Sequence, residues 1–400
     1  MPIKDPNIEP NTRIEELDLL RALAITMVIV HHLGRGILKG FIPSLFCEAW
    51  TGVDLFFLIS GYLVTRAFSQ WVAHAGVDSD LKTRSQLAFR YCLRRLFRII
   101  PPAWLWSAIP VVASLYLNQS GVFGAPSEVF SEFMAVLKFQ YNYFTVASGI
   151  GHINHFWSLA VEEHYYILLP LFLLIIPSKG ARVMGLLFVA ISCEIMRITA
   201  RRSGYNFGGI LFLTHFRADA LAFGSILGLL VDRIKEVTLS LSSKTWRWFR
   251  LIAVLSIVFL WIGPSILSRS QVIYFGFSIF ALISAFLVGL ASTGRGLFRF
   301  PRFLSRPFVE VGKRSYSLYL IHVPLLGLAA EIRFRTLGMA AAAEWESWIP
   351  ALVELGIYLL ALAVLTELNY RVVEHPLIQL IRSRFREPAF RGETKALSLG

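Results

Sequence analysis

Apolar runs of membrane length recur along this chain, at about 17–33, 50–69, 99–117, 156–176, 182–199, 208–231, 250–268, 272–291, 314–330 and 350–370. In hydrocarbon each backbone N–H and C=O must be satisfied inside its own segment, so runs of this kind fold as helices. The expected fold class is all-α: a polytopic membrane protein of about ten transmembrane helices in one bundle, with no fused soluble domain. Hydrophobic residues make up 56% of the 400 and charged residues 16%, against about 25% charge in a soluble domain. The expected organisation is a cytoplasmic N-terminal segment at 1–16, a transmembrane domain at 17–377 and a basic cytoplasmic tail at 378–400. The first sixteen residues are polar and the first apolar run has no small-residue cleavage site, so that run is expected to stay as a signal anchor.

The net charge of +13 has a membrane explanation and predicts no nucleic-acid partner. With the N-terminus inside, internal segments hold about 28 Lys and Arg and external segments about 9, a positive-inside bias. The basic internal loops are 70–98, 232–249 and 292–313. Cys47, Cys92 and Cys193 form no disulfide framework and no metal spacing. The sequon Asn118-Gln119-Ser120 matters only in a eukaryotic secretory host. The longest loop, 118–155, carries Phe139-Gln140-Tyr141-Asn142-Tyr143-Phe144, whose aromatics fit an interfacial belt or a substrate cleft.

Ionisable residues inside apolar runs are the candidate functional sites, because a central charge costs roughly 2.5–3.5 kcal/mol on insertion scales. The first run holds Asp18 and Arg21 near one end and the pair His31-His32 at the other. Arg21 and His32 are eleven residues apart, about three turns, which returns to nearly the same face at a separation of roughly 16 Å, half a bilayer. Asp18, Arg21 and His32 therefore share one stripe, with His31 rotated about 100° from it. One reading is an Asp18–Arg21 salt bridge with a headgroup-level histidine. The other makes His32 a general base in a polar cavity, since neutral imidazole is matched to accepting a proton near pH 7.

Further clusters carry chemistry. Asp54 opens the second run on the side where His32 closes the first. It fits a helix N-terminal charge, or a carboxylate that orients an imidazole or a hydroxyl. Ser60-Gly61, further along, suits close helix packing. Arg90, Arg94, Arg95 and Arg98 precede Pro101-Pro102, and guanidinium forks there suit either membrane anchoring or the phosphates of coenzyme A. His152, His155, Glu162, Glu163, His164 and Tyr166 cluster at the fourth run. They lack HExxH geometry, so no metal is expected, and Glu162 and Tyr166 are placed to hydrogen-bond at four-residue spacing. Arg217 and Asp219, beside His215, are opposite charges close enough to offset each other's burial. Tyr319 and His322 share a helix face, and Glu374-His375-Pro376 closes the last run, with Pro376 read as a helix end.

Taken in order, these stretches resemble the acyltransferase-3 family of integral membrane acyltransferases. The resemblance rests on Leu17-Asp18-Leu19-Leu20-Arg21 with His32, on Gly52-Val53-Asp54-Leu55-Phe56-Phe57-Leu58-Ile59-Ser60-Gly61-Tyr62, and on Arg94-Arg95-Leu96-Phe97-Arg98-Ile99-Ile100-Pro101. It continues through Phe156-Trp157-Ser158-Leu159-Ala160-Val161-Glu162-Glu163, Arg217-Ala218-Asp219-Ala220, Ser315-Tyr316-Ser317-Leu318-Tyr319-Leu320-Ile321-His322 and Glu374-His375-Pro376. Two departures are His164, where the family commonly has glutamine, and His31, where an aromatic is common. The hydrolase-like domain fused to many members is absent from this sequence.

The resemblance implies transfer of an acyl group, often acetyl, from cytoplasmic acyl-CoA to a hydroxyl of a saccharide or other acceptor, in the bacterial cytoplasmic (inner) membrane. In that reading His32, with Asp54 and Glu163, is catalytic. Arg21, Arg94, Arg95 and Arg98 bind the acyl-CoA co-substrate. Asp18, Ser60, Trp157, Glu162, Arg217, Asp219, Tyr319 and His322 support the site. Direct transfer and an acyl-histidine intermediate both fit. The competing class is a multi-span transporter or flippase of a glycan precursor, since intramembrane charges suit a carrier as well.

Overall fold

The computed structural model describes residues 14–74, 81–298, 301–342 and 348–384. The ends of the expected N-terminal segment and basic tail, 1–13 and 385–400, lie outside the described residues, as does 75–80 of the basic loop. The fold is all-α, with no strand among the described residues. Its long helices are α1 (Glu15–Leu33), α2 (Gly52–His74), α3 (Leu81–Tyr116), α4 (Phe156–Ile175), α5 (Lys179–Arg202), α6 (Thr214–Ser240), α7 (Ser243–Ile266), α8 (Phe277–Ala291), α9 (Ser315–Ala342) and α10 (Trp348–Asn369). Among the described residues, eight helical segments are long and apolar enough to cross a membrane. The expected spans 17–33 and 208–231 correspond to α1 and α6, whose apolar runs are interrupted by Glu16, Asp18 and Arg21 and by Arg217 and Asp219.

Three expectations change. The basic loop 70–98 is largely helical: α3 begins at Leu81 and runs for 36 residues through Pro101, Pro102 and Pro110. Its charges hid the helix, because they break the apolar pattern without breaking the helical period. Pro376 does not end the last helix. It stands at the start of another, His375–Arg384, joined to α10 by the π-helical stretch Tyr370–Glu374; proline is tolerated in a first turn, where its missing N–H is not needed. The start of the expected tail is therefore helical.

The third change is in the 118–155 loop, which folds into the helices Pro126–Leu137 and Tyr141–Ser148. Glu132, fully buried, pins the second to the first. Its Oε1 accepts from His152 Nδ1 at 2.6 Å and its Oε2 from Tyr141 Oη at 2.7 Å. The aromatic run is thus divided: Tyr141 is core and Tyr143 is exposed.

Helix α6 packs along α2 with backbone on backbone. A Cβ added at Gly61 would lie 2.1 Å from Leu221 O, and one at Gly224 2.2 Å from Leu58 O. Only glycine fits at such a contact, the usual device where lipid supplies no hydrophobic force between helices. The amphipathic helix Arg302–Lys313 meets α1 in the same way, with a Cβ at Gly312 falling 1.9 Å from Asp18 O.

Gly224→Ala is expected to wedge α2 from α6 and to cost about 1–3 kcal/mol, read as a lowered thermal midpoint of the detergent-purified protein. Gly356→Ala is the control, because a Cβ there meets nothing within 4 Å. Equal midpoints for the two variants would contradict the close-packing assignment.

Candidate active site

The arginines come together because α1, α2 and α3 converge at one end of the bundle. A cavity of about 120 Å³ has Arg21, Arg95 and Arg98 at that end, Ser60, Glu162 and Tyr166 along its wall, and Ser158 and Tyr319 at its other end. A second cavity of about 250 Å³ shares Leu63, Arg95 and Arg98 with the first and adds Arg66, Arg94, Trp71 and Tyr91. The expected Arg21, Arg94, Arg95 and Arg98 therefore border two neighbouring cavities that share Arg95 and Arg98. Arg66 joins them unforeseen, and Arg90 is exposed outside both. The guanidiniums lie on aromatic rings: Arg94 is 5.4 Å over Trp71 and Arg95 4.9 Å over Tyr166. Stacking leaves the N–H edges of a guanidinium available to oxygen anions. Ile378 and Ile381, from the helix His375–Arg384, close the second cavity.

The carboxylate on the cavity wall is Glu162. It accepts from Ser60 Oγ at 2.9 Å and from Tyr166 Oη at 2.7 Å, as the four-residue spacing predicts. Glu163, expected with Asp54 as a catalytic carboxylate, is buried and does not line the cavity. Neighbouring positions on a helix differ by about 100°, so only one of the two can face a given cavity.

At the other end of α1 the histidine doublet is split. His31 is buried and its Nδ1–H donates to Cys47 O at 2.7 Å, tying it to the connection toward α2. His32 Nδ1 lies 2.9 Å from Val28 O. A carbonyl only accepts, so the proton sits on Nδ1 and Nε2 carries the free lone pair. The His32 ring meets His322 with centroids 4.9 Å apart, and His322 meets His155 at 5.3 Å. Tyr319 lies between this cluster and the cavity, its ring 5.5 Å from His322. Its hydroxyl donates to His155 O at 2.6 Å and, having one proton, accepts from Ser158 Oγ at 2.6 Å. The cavity ends at the Ser158–Tyr319 layer, and two ring contacts lead from there to His32. Among the described residues no group of three His, Cys, Asp or Glu side chains is arranged to hold a metal ion.

Asp54 sits in a different constellation. Arg217 donates to it at 2.6 Å, with both side chains buried. Arg217 also lies 4.2 Å over the Phe277 ring and 5.9 Å over Trp157. Asp219 takes Arg197 at 2.8 Å, and Arg197 also holds Glu194 at 2.5 Å. Arg217 and Asp219 thus do not offset one another. Residues two apart point to nearly opposite sides of a helix, and each finds its partner on a different neighbour, α2 for Arg217 and α5 for Asp219. Asp54 is absent from the lining of both cavities. Arg197 was not foreseen, although a cation deep in the apolar 182–199 run carried the same signal as Arg217. Asp18 is buried beneath the helix Arg302–Lys313.

A protein-family sequence model described as an acyltransferase domain, Acyl_transf_3, matches residues 14–370. The O-acetyltransferase OatA of Staphylococcus aureus (strain NCTC 8325 / PS 47) is 28% identical over 382 residues, which is 90% of this chain and 56% of that protein. A putative O-acetyltransferase of Staphylococcus aureus (strain COL) is 28% identical over 385 residues, 91% of this chain and 57% of that protein. The chain spans just over half the length of these curated relatives. No solved structure matches it.

Removing one partner of a buried pair strands a charge and costs about 3–5 kcal/mol. Arg217→Met is expected to lower the yield and thermal midpoint of the folded protein by that much, and the double variant Asp54→Asn/Arg217→Met to recover a large part. An Asp54→Asn protein that keeps the native midpoint but loses its activity would return Asp54 to the chemistry.

Proposed function

Because the chain belongs to the acyltransferase-3 family, we propose that it is a membrane O-acyltransferase, moving an acyl group, acetyl in the simplest case, from cytoplasmic acyl-CoA to a hydroxyl of a cell-surface or exported saccharide. The observation that carries this reading is the pair of neighbouring cavities: Arg21, Arg66, Arg94, Arg95 and Arg98 gather where the two meet, and the smaller cavity runs on to a layer that touches the histidine cluster. A diphosphate with a 3′-phosphate matches a cluster of guanidinium forks. A slender pantetheine arm matches a narrow cavity with apolar and hydroxyl walls. The S. aureus relatives carry O-acetyltransferase in their names, which favours acetyl as the group moved.

In this reading Arg66, Arg94, Arg95 and Arg98 hold the phosphates, and Arg21 steers the arm inward. Glu162, fixed by Ser60 and Tyr166, gives the wall hydrogen-bonding character beside the arginines without spanning the cavity. Tyr319 and Ser158 form the last barrier before the histidines, so the phenol must turn from His155 O for the thioester to reach His32. His32 Nε2 then takes the proton of the acceptor hydroxyl. The oxygen attacks the thioester carbonyl, the C–S bond breaks, and the proton passes to the departing thiolate. The basic loops favour an arginine end facing the cytoplasm, in a bacterial inner membrane.

The purified full chain in nanodiscs, given acetyl-CoA and an envelope glycan extract, should release free CoA in step with acetylated glycan. His32→Ala is expected to lower that rate by about 10²–10⁴-fold, while His31→Ala retains it. Arg98→Ala should raise the KM for acetyl-CoA by about tenfold or more, the value of one charge-assisted hydrogen bond. Full activity in His32→Ala would overturn the reading.

A further inference from the structure

The buried histidines beyond the cavity include one that acyl transfer as described does not use. His322, on α9, has no solvent access. Its Nδ1 lies 2.7 Å from Tyr319 O, so the proton is on Nδ1. Its Nε2 is buried with no hydrogen-bond partner. An orphaned buried acceptor is unfavourable and calls for an explanation. The ring beside it is His32, at 4.9 Å and an angle of 76°. That ring is fixed in the same tautomer by Val28 O. The resting protein therefore holds two imidazoles in contact, each with its only proton committed to its own helix and each with a bare Nε2.

One added proton changes this balance. A His32 that has accepted a proton becomes a cation with an N–H at Nε2, beside a neutral ring with an unused lone pair. A charge-assisted hydrogen bond between them satisfies the orphaned atom and spreads the charge. The neutral state gains nothing comparable, so the arrangement favours the protonated state selectively, as catalysis requires. We propose that His322 is a positioning residue for His32: its Nε2 shares the proton that His32 takes from the acceptor hydroxyl and holds it until the thiolate leaves. The proton count closes, since hydroxyl loses one, the histidine pair carries it, and CoA thiol receives it.

The source of that proton rests on the proposed acyl transfer, but the pairing does not. The titratable groups around the pair are His31 and Arg35 on and just after α1, His155 before α4, Tyr319 on α9 and Tyr358 on α10. Arg35 is held by Glu48 at 2.9 Å. His155 also has both ring nitrogens buried without a hydrogen-bond partner, but its ring packs on His322 at 5.3 Å, whereas the ring in contact with His32 from α9 is His322. Tyr358 spends its hydroxyl proton on His322 O at 3.0 Å.

The test is ¹⁵N NMR titration of histidine-labelled full chain in nanodiscs, with the nine histidines assigned by single His→Gln variants. The wild-type protein should show His32 and His322 responding together to one proton. His322→Gln should move the His32 midpoint down by about one pH unit, because a hydrogen bond to the charged form favours that form. His32→Gln should leave His322 neutral across the range. Independent titration of the two rings in the wild-type protein overturns the pairing. An unmoved His32 midpoint in folded His322→Gln also overturns it. Failure of CoA release in the presence of a coupled titration would instead overturn the acyl-transfer reading and leave the pair standing.

Discussion

The structure depends on the contact between α2 and α6. In lipid two helices gain little by hiding apolar surface from one another, so association must come from close packing and internal polar bonds. This pair uses both. Gly61 and Gly224 bring backbone onto backbone, and about two turns before Gly61 the buried Asp54–Arg217 pair locks the register. The charges are expensive to bury, and their mutual attraction repays the cost only if the geometry is held. The glycines hold it. Slippage of one turn would place side chains where backbones now touch and would separate the ions.

That fixed register positions the rest. On α2, Asp54 faces α6, Ser60 faces Glu162 on α4, and Arg66 faces the second cavity. Three residues six apart, each about 240° on from the last, divide the helix into three working faces. The same helix therefore braces the bundle, walls the narrow cavity and contributes to the arginine cluster. Helix α1 does likewise with Asp18 beneath the amphipathic helix, Arg21 in the cavity and His32 at the histidine cluster.

What was legible in the sequence follows from which signals are local. Apolar length placed the long helices, and charge in apolar runs singled out Arg21, His32, Asp54, Arg217 and His322. Four-residue spacing gave the Glu162–Tyr166 bond. The choice of partner was not legible, because it depends on which helices become neighbours: Arg217 and Asp219 look like a pair along the chain and are shared between α2 and α5 in the fold. The rotation that puts Glu162 rather than Glu163 on the cavity wall was hidden for the same reason. The long N-terminal half of α3 was hidden because its charges read as loop, and the helix His375–Arg384 because its proline read as a stop.

The two ends of the site differ in kind, and that difference bears on direction. Arginine stays cationic at any physiological pH, so the cluster at one end attracts anions permanently. The histidines at the other end keep a proton on Nδ1, held by bonds to carbonyl oxygens, and present Nε2 as the site that can gain one. On the proposed function, a polyanionic donor would be drawn to the arginine end, and its uncharged end would enter the smaller cavity. In the proposed transfer, charge would develop at the histidine end only when a proton moves, beside the unpartnered His322 Nε2. A site with fixed charge at both ends would hold donor and product alike; confining the permanent charge to one end lets binding and proton transfer be governed separately, roughly half a membrane apart along α1.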